Sequence, residues 1–74
     1  MMIHIDEQGL CYWQGDSAKL VGYSSEDKIA RLEILEGFRR GISIDQPLVS
    51  IRDKTGAIIG EDAIADILHN AIEA

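Results

Sequence analysis

Asp6-Glu7-Gln8-Gly9 separates two short apolar runs, Met2–Ile5 and Leu10–Trp13, and the same grammar returns where Asp53-Lys54-Thr55-Gly56 separates Leu48–Ile51 from Ala57–Ile59. A four-residue turn signal between apolar runs predicts a β-hairpin, with the glycine at the position that needs φ > 0. In the first hairpin this register sets Ile5 opposite Cys11 and Ile3 opposite Trp13. Those four then share one face and leave His4 and Tyr12 on the other; a one-residue slip would mix the two sets. In the second, Val49, Ile51, Ala57 and Ile59 share a face, with Arg52 and Ile58 pointing away. The repeated turn raises the idea of an internal duplication. Asp-x-x-Gly turns are common enough for convergence to explain it.

Between the hairpins the pattern is read differently. Gln14–Tyr23, with Gly15, Gly22 and Asp16-Ser17, reads as a loop. Ser24-Ser25-Glu26-Asp27 resembles a capping box, and Ile29, Leu32, Leu35 and Phe38 recur near helical period behind it, so a helix is expected over about 25–40. Asp27/Arg31 and Glu36/Arg40 would add i, i+4 pairs, and Gly41 a left-handed stop. Residues 42–45 alternate as a short strand ended by Pro47. A second helix is expected over about 61–73, burying Ile64, Ile67, Leu68, Ala71 and Ile72 and exposing Asp62, Asp66, His69 and Glu73.

The expected fold class is therefore α+β: a small, mostly antiparallel sheet of two hairpins plus a short strand, with both helices packed on one face. Its strands would span 2–6, 10–14, 42–45, 48–52 and 57–60. Its core would hold Ile3, Ile5, Trp13, Ile29, Leu32, Leu35, Phe38, Val49, Ile51, Ile59, Ile64, Ile67, Leu68 and Ile72. With 74 residues the chain is one domain, 1–74, and a chain that short buries only about 60% of its unfolded surface. Such domains often gain stability by association. A single cysteine, Cys11, allows no internal disulfide. Together with an N-terminus lacking a basic and apolar leader pattern, it suggests a cytoplasmic setting. No run approaches the ~20 apolar residues of a membrane helix.

No motif with a chemical mechanism stands out. Asp62, Asp66, His69 and Glu73 are the nearest approach to a metal or acid–base cluster, but an ordinary wet helix face explains them, and a metal site needs three or four converging ligands. His4 and Tyr12 read as a cross-strand pair and Cys11 as a buried, inert thiol. The Gly-containing loops lack phosphate-cradle spacing. No catalytic residue, cofactor or metal is expected. A net charge of −6 disfavours binding to a phosphate backbone.

The expected function is accordingly a non-enzymatic protein–protein interaction module: an accessory, inhibitor or regulatory subunit that self-associates as a homodimer or higher oligomer. Two surfaces are candidates: an exposed apolar patch around Met2, His4, Tyr12 and Ile58, and the acidic last helix through Asp62, Asp66 and Glu73. The alternative is an acidic mimic of nucleic acid that occupies a DNA- or RNA-binding protein. Direct nucleic-acid binding through Arg31, Arg39 and Arg40 is a weaker third, because acids interleave with those bases.

Overall fold

The computed structural model describes residues 2–73, with side chains described as far as Asn70. It contains β1 (Ile3–His4), β2 (Leu10–Trp13), β3 (Asp16–Ser24), β4 (Ile29–Ile34), β5 (Ser43–Pro47), β6 (Ile51–Arg52) and α1 (Glu61–Glu73), with a 3-10 turn at Leu48–Ser50. Strands β2-β3-β4-β5 form an antiparallel meander, and β1 and β6 form a separate parallel pair. The expected fold class is thereby corrected. The chain is α+β, but with a four-stranded antiparallel sheet, a two-stranded parallel pair and one α-helix among the described residues, in place of two hairpins and two helices.

The expected helix over 25–40 is a β-hairpin arm and a turn. Residues 29–34 satisfy two periods at once, because Leu32 belongs both to the helical stripe with Ile29, Leu35 and Phe38 and to the alternating set Ala30, Leu32, Ile34. The alternating set wins: Ala30, Leu32 and Ile34 are wholly buried, while Phe38 is 93% exposed. Period-2 burial needs a partner strand, and β3 supplies it, pairing Ala18 with Ile34 and Leu20 with Leu32. The supposed helix cap does form, since Ser24 Oγ accepts the Asp27 N–H at 3.1 Å. It closes the loop between β3 and β4, a use of serine that is equally local.

Strand β3 runs through the segment expected to be a loop. Gln14 and Gly15, both at positive φ (49° and 86°), make the two-residue turn joining it to β2. This is the primed hairpin geometry, matched to strand twist. The register shifts between Leu20, opposite Leu32, and Gly22, opposite Arg31, so that Val21 is the extra residue of a bulge.

Both Asp-x-x-Gly turns form where expected; the arms of the first pair elsewhere beyond the turn, while those of the second stay opposed next to it, with Ile59 N–H donating to Ile51 O at 3.2 Å. Asp6 N–H bonds Leu10 O at 3.0 Å, and Asp53 N–H bonds Ala57 O at 2.9 Å. Beyond these contacts, β1 leaves β2 and runs parallel to β6, with Ile3 opposite Ile51 and His4 opposite Arg52. Strand β2 pairs instead with β3, gaining four cross-strand partners from Leu10↔Lys19 to Trp13↔Asp16. The expected strand 48–52 shrinks to β6, and 57–60 keeps one bridge, Arg52↔Ile58.

The core lies on one face of the sheet. Cys11, Ala18, Leu20, Ala30, Leu32 and Ile34 point into it and meet Ile3, Ile5 and Ile51 of the parallel pair and Ile64 of α1. Trp13, Ile44, Ile67 and Leu68 close its edges. Two expected core residues are outside it: Phe38, and Val49 at 63% exposure. Ile29 and Leu35 are half-buried, and Ile72 lies beyond the described side chains. The remaining helix buries Ile64 and packs half-buried Ile67 and Leu68 against the core; Ala71 of the predicted stripe, like Ile72, lies outside the described side chains. Among the described residues no helix is long and apolar enough to cross a membrane.

Candidate functional site

Parallel pairing of β1 with β6 sets the two Asp-x-x-Gly turns side by side. Ile5 N–H donates to Arg52 O at 2.8 Å, after which each chain segment enters its turn. The aspartates do the same job in both. Asp6 Oδ1 accepts the N–H groups of Gln8 (2.8 Å) and Leu10 (2.9 Å). Asp53 Oδ1 accepts those of Thr55 (2.8 Å) and Ala57 (3.1 Å) and also the Thr55 hydroxyl. Each carboxylate thus serves turn donors that would otherwise compete for water. His4 Nδ1 lies 3.1 Å from Asp53 O and, protonated there, ties the first strand to the second turn.

The Thr55 hydroxyl and backbone N–H, with Ala57 and Gly56 behind them, hold the Asp53 carboxyl below the usual carboxylate range. A depressed folded value stabilises the fold above the unfolded pKa, and that stabilisation is lost as pH falls through the folded value. Urea midpoints of the wild type are therefore expected to fall more steeply than those of Asp53→Asn between about pH 4 and pH 2. Parallel curves for the two proteins would remove Asp53 from the acid response.

Between the paired turns and α1 lies an open groove of about 560 Å³. Its floor is apolar, from Ile5, Ile59, Ala63 and Ile67, and Ile58, 56% exposed, forms one wall. Asp6, Glu7, Asp53 and Asp66 stand around it with one base, Lys54. Lys54 Nζ is 3.9 Å from Glu7 Oε1, and both side chains are largely solvated, so this pair contributes little. Ile5, Asp6 and Lys54 also border a second hollow of about 450 Å³, where His4, Leu10, Tyr12 and Leu35 converge over Cys11.

The sequence-predicted site residues are thus partly gathered and partly dispersed. Ile58 and Asp66, expected on separate surfaces, line the first groove; His4 and Tyr12 line the second hollow. Met2 and Asp62 are exposed and line neither. The Glu73 side chain lies outside the described residues. Among the described residues no three His, Cys, Asp or Glu side chains converge as metal ligands.

Cys11 is buried, and burial, aided by the charge of Asp6, pushes its thiol up to about 11. With an ordinary thiol near 8.5, the thiolate fraction at about pH 8 is lower by a factor of about 100 or more. Alkylation of the native protein is expected to be slower than that of the urea-unfolded chain by at least that factor, and equal rates would contradict the placement.

A second built feature escaped the sequence reading. Arg39 donates to Asp16 Oδ2 at 2.9 Å and to Gln14 Oε1, and its guanidinium lies 4.8 Å from the Trp13 ring centre and 5.3 Å from that of Phe38. This clamp pins the β4–β5 turn to the β2–β3 hairpin and leaves Phe38 projecting. Gly37 and Gly41 bracket Phe38-Arg39-Arg40, a signal for a turn that the helical stripe masked. Comparison with known proteins finds no family model, curated protein or solved structure that matches the chain.

Proposed function

We propose that this chain is a non-enzymatic protein-binding module, a cytoplasmic accessory, inhibitor or regulatory subunit, whose recognition surface is the groove between the paired Asp turns and α1. The observation that supports this reading most is an apolar floor ringed by four acids and one base. Such a surface suits an apolar side chain carried beside a positive charge: burial of the first supplies affinity, and the acids select the second. Nucleic-acid mimicry draws less support. Asp16, Asp45 and Glu61 pair with Arg39, Arg31 and Lys28 of the same chain, which thins the acidic field a mimic needs. The same pairs engage Arg31 and Arg39, which direct nucleic-acid binding would require free.

The test is a titration followed by amide chemical shifts, with a basic aromatic peptide amide (Arg-Phe-Arg) against its acidic counterpart (Glu-Phe-Glu). The basic peptide is expected to shift Ile58, Ile59, Ala63 and Ile67, with an affinity that falls as salt rises. Shifts scattered away from the groove, or equal response to both peptides, would remove it as the binding surface.

A further inference from the structure

We infer that the groove takes a second copy of this chain, through Phe38 at the tip of the β4–β5 turn. The inference rests on the binding reading above and names its occupant. Phe38 is 93% exposed, the largest exposure among the big apolar side chains. Its backbone is nevertheless fixed: Arg40 N–H donates to Gly37 O at 3.2 Å, Ile42 N–H to Arg39 O at 3.0 Å, and Gly41 N–H to Ile34 O at 2.8 Å. Gly37 sits at φ +80°, where a Cβ would come 3.1 Å from Asp16 Oδ1, so the tip is held against the same carboxylate that binds Arg39. A rigid loop presenting a bare aromatic ring is a pre-organised anchor of the kind that dominates interface energetics.

Charge selects the second copy as occupant. Beside Phe38 the tip carries one exposed positive charge, Arg40, while Arg39 is already paired with Asp16; the groove is apolar at its floor and acidic at its rim. The two surfaces are complementary, and both belong to one chain whose net charge is −6. A chain cannot satisfy its own groove. Phe38 stands beside Arg39, whose guanidinium lies over Trp13 at the opposite end of β2 from Leu10, whereas the groove opens at Asp6, which is bonded to Leu10. The contact is therefore head-to-tail, with tip and groove on different parts of each copy, and such contacts propagate into chains or rings.

Complementation of two variants tests this. Phe38→Ala removes the anchor and keeps the groove; Ala63→Arg, at an exposed helical position, blocks the groove with bulk and positive charge and keeps the anchor. Sedimentation velocity of the wild type from about 10 µM to about 1 mM is expected to show growing, salt-sensitive association. Each variant alone is expected to sediment as a monomer, and their equimolar mixture as a one-to-one dimer that grows no further. Circular dichroism and thermal melting establish that both variants fold. A wild type that stays monomeric throughout, or two folded variants that fail to complement, overturns the inference. In either case the peptide titration still decides the groove: a monomer that binds Arg-Phe-Arg retains the binding reading and loses only the second copy as its partner.

Discussion

Leu32→Ala is expected to lower stability by about 3 kcal/mol, whereas Phe38→Ala is expected to change it by less than about 0.5 kcal/mol. Leu32 is wholly buried at the middle of β4, between Leu20 of β3 and Ile44 of β5. Its truncation leaves a cavity whose walls are strands fixed on both sides, so little collapse can offset the loss. A domain of 74 residues has roughly 4–11 kcal/mol to lose, and the substitution is expected to lower the melting temperature by roughly 12–24 °C. Phe38 has no such environment, since its ring is solvated apart from the Arg39 guanidinium. The pair of substitutions separates the two periods that overlap in residues 29–38. On a helix, Leu32 and Phe38 would lie on one buried stripe and both truncations would be costly. Urea denaturation of the two variants reads the difference, and comparable losses would restore the helix.

That overlap shows where the sequence was legible and where it was not. Local turn chemistry was readable, because an aspartate carboxylate and a left-handed glycine specify their own four residues whatever surrounds them. Both Asp-x-x-Gly turns appear at the expected residues. Helix α1 was readable because thirteen residues (Glu61–Glu73) of one period offer no competing pattern. Strand partners were not readable, since Ile3 and Ile5 need only an apolar neighbour, and Ile51 meets that need as well as Cys11 does. Residues 29–34 were undecidable from their own pattern. Their state depends on β3, and β3 was hidden by Gln14-Gly15: glutamine is a poor occupant of positive φ, at a cost of about 1–2 kcal/mol, and does not announce a turn as asparagine would. Once residues 16–24 are seen as a strand, Ala30, Leu32 and Ile34 acquire partners and the helix loses its reason. The groove followed the same logic. Ile58 and Asp66 were singled out separately, but only the parallel pairing of β1 with β6 brings the two turns together against α1. The Arg39 clamp depends on contacts from the β2–β3 hairpin, so its signal could not be local.

Gly9→Ala is expected to destabilise by about 2–4 kcal/mol and Gly56→Ala by only about 1–2 kcal/mol, although the two glycines occupy equivalent turn positions. Both have left-handed backbones, φ +81° and +91°, so an added Cβ strains each to a similar degree. Their surroundings differ. At Gly56 nothing lies within 4 Å of the new carbon, whereas at Gly9 it would meet Ile67 Cγ2 at 3.0 Å and Leu20 Cβ at 3.5 Å. Gly9 is the point where the first turn passes beneath α1, and Leu20 N–H donates to its carbonyl at 2.8 Å. The turn therefore cannot retreat from the helix without breaking a bond to β3. The excess cost at Gly9 should vanish when the obstructing methyl is removed. In an Ile67→Ala background, itself less stable, Gly9→Ala is expected to cost no more than Gly56→Ala does in the wild type, a coupling of about 1–2 kcal/mol. Equal costs for the two glycines in the wild type, or additivity of Gly9→Ala with Ile67→Ala, would mean that α1 does not rest on this turn. The groove between them would then lose part of its floor, because Ile67 belongs to that floor and its position over Gly9 fixes how closely the helix approaches the paired aspartate turns.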